Sequence, residues 1–164
     1  MKHFISRRNF LKAAGVTAAA SAMAAAVPQA SAGFLTGKDA AVTILYTNDV
    51  HTYIDNKSPK LTYAAIAAMK QGYVDEGKPV LLVDAGDHIQ GTAYGSMDNG
   101  ATIIELMNEA GYDIATPGNH EFDYGMARAK AIIKEADFPY VSCNWVDLRT
   151  GLRVLPAVKL FPAG

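Results

Sequence analysis

The sequence predicts an α/β fold in which parallel strands are joined by helical crossovers, and three observations carry that prediction. Segments with strand and helix periodicity alternate from Ala41 onward. The second strand, Val80-Leu81-Leu82-Val83, is apolar on both faces, as the centre of a covered parallel sheet requires. Polar residues gather directly after the predicted strand ends, on the rim where open parallel sheets bind ligands.

The elements follow in order. Ala41 to Thr47 is a β-branched run bounded by Asn48-Asp49 and predicts a buried first strand. Pro59 to Gly77 predicts a helix with Leu61, Ala65, Ile66, Met69 and Tyr73 on its inner side and Gly77 as its stop. After the second strand, Asp98 predicts a helix N-cap, with Ile103, Ile104, Met107 and Ala110 facing inward and Gly111 ending the helix. Tyr112 to Thr116 predicts a third strand. Gly125 to Ala136 predicts a third helix through Met126, Ala129, Ile132 and Ile133. Pro139 to Cys143 and Val154 to Phe161 complete the set as strands four and five, with Phe161-Pro162-Ala163-Gly164 a hairpin turn whose returning strand is missing.

Composition narrows the function classes. The 164 residues carry 15 basic and 16 acidic side chains, half of the residues are apolar, and there is one cysteine. That excludes a disordered tail and a disulfide-stapled scaffold. The charge is unevenly spread. Residues 1–32 hold Lys2, Arg7, Arg8 and Lys12 and no acid, leaving 11 basic against 16 acidic residues in 33–164. A mildly acidic body without Lys/Arg clusters is not a nucleic-acid binder. Cys143 lies in an apolar run and reads as a buried structural thiol.

Ser6 to Lys12, Ser-Arg-Arg-Asn-Phe-Leu-Lys, resembles the twin-arginine export signal over its whole length. The alanine-rich stretch Ala13 to Val27 behind it falls short of the about 20 strongly apolar residues that span a bilayer. No stable membrane anchor is therefore expected. Ala30-Ser31-Ala32 offers a signal-peptidase site, with cleavage between Ala32 and Gly33. The expected organisation is a signal peptide at 1–32, a linker at 33–40 and one domain from 41 to 164. The twin-arginine translocase is its partner during export, to a periplasm or to the medium.

The polar loops are Asp49-Val50-His51, Asp84-Ala85-Gly86-Asp87 and Gly118-Asn119-His120-Glu121. Asp49 and His51, two apart on an extended segment, would project from one face. Carboxylate, imidazole and amide oxygen without thiolate suit a divalent ion of intermediate hardness: Mn, Zn, Fe or Mg. Glycines beside Asp87 and Asn119 permit turns that a Cβ would obstruct. Each piece alone is weak; three of them after three strands are not.

Together, Val42 to His51, Asp84 to Thr92, Met107 to Asp113 and Gly118 to Gly125 resemble the signatures of the 5'-nucleotidase family of calcineurin-like metallophosphoesterases. The resemblance spans about 41 to 161 and includes the specific string Asn119-His120-Glu121-Phe122-Asp123. Tyr46, Thr52, His88 and Pro117 depart from the family's usual residues, and none of the departures removes a ligand. The resemblance implies the first half of an αββα sandwich and a centre of two divalent metal ions. It implies that Asp49 and His51 hold one ion, that Asp87 bridges both and that Asn119 binds the second. His120 would stabilise the transition state or protonate the leaving oxygen, with Asp123 orienting its ring. The implied substrate is a small-molecule nucleotide or other phosphate ester, most of all a nucleoside 5'-monophosphate.

Read without the family, His120 is a turn residue and Asp123 a helix N-cap. Asp84 is either an outer partner of the metals or a buried aspartate closing its turn. His88 reads as a solvated loop residue, Glu121 as a loop support, and Tyr63, Tyr73, Tyr94 and Tyr112 as amphipathic packing. Three further ligands that the family draws from later histidine segments are not supplied here, since only His51, His88 and His120 follow Gly33. The chain therefore reads as an incomplete part of an exported phosphohydrolase, inactive by itself. Cyclic nucleotides or nucleotide sugars are the alternative substrates, and a non-catalytic exported module is the alternative class.

Overall fold

The computed structural model describes residues 41–54 and 62–161. The signal, the linker, Pro59, Leu61 and the expected turn at 162–164 lie outside them. The elements are β1 (Thr43–Thr47), α1 (Tyr63–Asp75), β2 (Val80–Asp84), α2 (Ala93–Ser96), α3 (Ala101–Ala110), β3 (Ile114–Ala115), a 3-10 turn at His120–Phe122, and α4 (Met126–Glu135). The strands form one parallel sheet in the order β1-β2-β3, with Leu45 opposite Leu82 and Thr47 opposite Asp84. Pro139–Cys143 forms only a bridge, Tyr140 lying parallel to Ala115. Strand, helix, strand is thus the repeating unit, as expected.

The core lies between the helices and one face of the sheet. Leu82 on the central strand is fully buried beside Ile66, Ile103, Ile104 and Met107. Burying side chains of this size stabilises the fold by about 1.5–3 kcal/mol each. α3 matches its prediction residue for residue, with Ile103, Ile104, Met107 and Ala110 inward. It stops because Gly111 takes φ 76°, a left-handed turn open to glycine, and returns its N–H to Met107 and Asn108. Its N-cap is Gly100, at φ 86°, and not the expected Asp98, whose carboxylate still holds the first turn by accepting from the Thr102 N–H at 2.8 Å and the Thr102 hydroxyl at 2.5 Å.

Several expectations are corrected. β1 is an edge strand with one face open: Ile44 is 60% and Tyr46 74% exposed. Its β-branched run specifies a strand but says nothing about what covers it. α1 begins one residue after its N-cap Thr62 and buries Tyr63, Ile66 and Ala67, with Ala65, Met69 and Tyr73 only half-buried. In α4, Ala129 and Ile132 are buried while Met126 is exposed. Val154–Phe161 is not a strand; only Arg153 just before it bridges, to Val146, and Val158 and Leu160 are exposed. Cys143 is exposed, because the chain turns outward after the buried Ser142. Tyr63 and Tyr112 are core residues, whereas Tyr94 is exposed. Among the described residues no helix is long and apolar enough to cross a membrane.

Candidate metal centre

The site is made where three loops leave the same edge of the sheet. The chain after β1 is laced to the chain after β2 by backbone bonds from Asp49 N–H to Gly86 O (3.1 Å) and from His51 N–H to Asp87 O (2.9 Å). Neither Asp49 nor His51 lies on extended backbone, contrary to expectation. Asp49, His51 and Asp87 take φ of 53°, 47° and 59°, and Thr52 takes 58°. Left-handed backbone is uncommon outside glycine, though aspartate and histidine tolerate it best. Strain of this kind concentrates at functional sites. Thr52, the β-branched member, is fully buried and held by Thr92, whose N–H bonds its Oγ1 at 2.7 Å.

These turns bring the predicted side chains together. Ligand atoms of His51, Asp87 and His120 all lie within 4.8 Å of one another. His51 shares its Nδ1 with Gln90 O at 2.9 Å, which leaves Nε2 free, 3.7 Å from Asp49 Oδ1. Fixing one imidazole nitrogen on a carbonyl is how a metal-binding histidine is oriented. Asp87 Oδ1 accepts the His120 backbone N–H at 2.8 Å, tying the second loop to the third. The His51 and His120 rings meet edge to face, centroids 4.9 Å apart. Asn119 begins the 3-10 turn, exposed, on the wall of an open cleft of about 790 Å³ that Gly118, Phe122 and Trp145 also line. The structure thus gathers Asp49, His51, Asp87 and His120 and sets Asn119 at their margin.

His120 and Asp123 form the expected pair, Nδ1 to Oδ2 at 2.7 Å. That hydrogen bond lifts the His120 pKa above its ordinary value; desolvation works against it, and the charges of Asp123, Asp87 and Glu121 reinforce it. The glycines act as expected. A Cβ on Gly86 would lie 2.7 Å from Gly118 Cα, and one on Gly118 would lie 2.7 Å from Asp87 Cγ.

One residue beneath the site differs from its expected place. His88 is not solvated but 0% exposed. Its Nδ1 meets Asp84 Oδ1 at 2.7 Å and its Nε2 the Tyr140 hydroxyl at 2.7 Å. Burial pulls its pKa down, but the Asp84 hydrogen bond and the charges of Glu121, Asp84 and Asp87 outweigh burial and raise it. Asp84 closes its turn by accepting Gly86 N–H at 2.8 Å and takes the Thr47 hydroxyl at 2.6 Å. Glu121, 2% exposed, accepts backbone N–H groups from both neighbouring loops. A buried histidine with a carboxylate four residues earlier is the one local signal of this layer; Tyr140 is a long-range partner that no local pattern announces.

Two imidazoles and one carboxylate, one imidazole already fixed from behind and with the Asp49 carboxylate beside it, are a donor set that fits divalent cations. The comparisons with known proteins agree. A model of the twin-arginine translocation signal matches residues 5–27, and such a signal directs export from the cytoplasm. Over 114 residues the chain is 39% identical to a snake venom 5'-nucleotidase of Gloydius brevicauda, covering 63% of this chain and 19% of the relative. It is 36% identical over 115 residues to the human 5'-nucleotidase, covering 63% and 20%. The structure of the calcineurin-like phosphoesterase YfkN from Bacillus subtilis superposes with a TM-score of 0.59 at 34% identity, over 70% of this chain and 40% of that one. The chain spans about a fifth of the length of the curated relatives it matches. With a calcineurin-like phosphoesterase model matching residues 42–160, which include every strand-end loop of the site, the chain belongs to the calcineurin-like phosphoesterase family.

Proposed function

We propose that this chain supplies part of a two-metal centre that hydrolyses phosphate monoesters outside the cytoplasm, nucleoside 5'-monophosphates foremost. The observation that carries the reading is the convergence of His51, Asp87 and His120, one from each strand-end loop, within 4.8 Å. Family members use divalent metals, and in this reading Asp49 and His51 would hold one ion, Asp87 would be shared, and Asn119 would serve the second. When bound, such a pair lowers the pKa of water and offsets charge on the phosphoryl oxygens.

The chain's own residues do the rest. Asp123 accepts the Nδ1–H of His120 and raises its pKa, which favours the protonated ring that a proton donor needs and leaves Nε2 as the donating nitrogen. In hydrolysis a water oxygen bonds to phosphorus as its proton passes to solvent, the phosphorus–ester bond breaks, and His120 gives its Nε2 proton to the departing oxygen and is reprotonated from solvent. The open cleft beside Asn119 leaves room for an ester group larger than phosphate. Matches to 5'-nucleotidases make nucleosides the favoured leaving group. We place the first mature residue at Gly33. The remaining ligands come from outside residues 33–164, whose third histidine, His88, is spent on Asp84 and Tyr140.

The test is phosphate release from AMP by the product of the whole open reading frame, with Mn²⁺ added. Release should fall to background with chelator and in Asp87→Ala. Release that survives both overturns the reading. Residues 33–164 alone should release little or none, and metal-dependent release by them that Asp87→Ala abolishes would show that no outside ligand is needed.

A further inference from the structure

We infer that Glu121 is the positioning residue of the metal centre, a buried carboxylate that sets the separation between the loop carrying Asp87 and the loop carrying Asn119 and His120; the inference rests on the function proposed above. Its own backbone belongs to the 3-10 turn after β3, yet its side chain points back under the neighbouring loop. Oε1 accepts His88 N–H at 2.9 Å and Ile89 N–H at 3.4 Å. Oε2 accepts Asp87 N–H at 2.8 Å and Gly118 N–H at 2.5 Å, so one oxygen straddles the two loops. Buried donors without an acceptor are costly, and here four are served by one side chain.

The consequence falls on the ligands. The Asp87 N–H is fixed by Glu121 while Asp87 holds a left-handed φ of 59°, and its Oδ1 receives the His120 N–H at 2.8 Å. Gly118, the next donor, packs directly against that carboxylate. Glu121 therefore holds the backbone on both sides of the shared ligand without itself facing the reacting groups. Charge alone is not the point: the arrangement needs two acceptor oxygens at this reach. Glutamine has one acceptor oxygen, and its amide nitrogen would be aimed at N–H groups. Aspartate keeps the charge and loses the reach.

The test is Mn²⁺ titration, by calorimetry, of the whole open reading frame product and its variants, with urea unfolding of each alongside. Glu121→Gln should weaken Mn²⁺ binding about 10- to 100-fold. Ile132→Val, a core change remote from the loops, should lower the urea midpoint and leave Mn²⁺ affinity as in the parent. If Glu121→Gln does not fold, Glu121→Asp is read instead, with the same loss expected. Parent-like affinity in a folded Glu121 variant overturns the positioning role and leaves the proposed function standing. A parent protein that binds no Mn²⁺ overturns both.

Discussion

A Cβ on Gly118 would sit 2.7 Å from Asp87 Cγ, closer than real contacts allow, while one on Gly72 meets nothing within 4 Å. The two glycines should therefore respond oppositely to alanine. Gly118→Ala displaces the carboxylate and should weaken Mn²⁺ binding about 10-fold or more, read by calorimetry. Gly72→Ala, within α1, should leave that affinity alone and raise stability by about 0.5–1 kcal/mol, read by urea unfolding. The candidate ligand positions 49, 51 and 87 were legible because their residue types and their places after strands are local facts. Their left-handed backbone was not, since it is imposed by pairing with the next loop. His88 was misread for the same reason. An imidazole surrounded by glycine, aspartate and threonine looks solvated until Tyr140, 52 residues away, is seen to cap it.

At the scale of the element, α3 shows what local pattern can specify. Its apolar spacing and its glycine stop fall where the sequence puts them, whereas the N-cap is Gly100 rather than Asp98, whose carboxylate reaches past the cap to Thr102. Asp98→Ala should cost about 1 kcal/mol of stability. Burial pushes the Asp98 pKa up, but the hydrogen bonds from Thr102, Ala101 and Gly100 outweigh it and hold the carboxyl below its usual range. Its contribution is thus complete above the unfolded carboxylate value of about 3.9 and lost as pH falls through the lower folded one. The gap between parent and Asp98→Ala in urea midpoint should accordingly close as the medium is acidified below that value; a gap that widens would contradict the assignment. The expected fifth strand fails by contrast. Val154 to Phe161 has the apolar content of a strand, but a strand exists only through pairing, and among the described residues only Arg153 beside it makes a bridge.

At the scale of the molecule, the described residues place one face of the sheet under helices and leave one open, with Ile44 and Tyr46 largely exposed on β1. Residues 33–164 by themselves should bind a hydrophobic dye and self-associate, and Ile44→Lys with Tyr46→Lys should reduce both. Replacing Arg7 and Arg8 by lysine should retain the protein in the cytoplasm, read by fractionation. The fold class was legible from alternation alone, whereas the open face was not, because an apolar strand residue reads the same whether covered or bare. The parallel ladder also has a bearing on timing. Thr43 pairs with Val80, Val83 with Ile114, and Ala115 with Tyr140, so each pairing closes a loop of a few tens of residues. Pairings of this spacing would let the sheet assemble in the order in which the ribosome delivers it, each closure bringing one more candidate ligand loop to the rim. A route that exports folded proteins would then carry a centre whose loops met, and whose ion was chosen, among the cations of the cytoplasm rather than those of its destination.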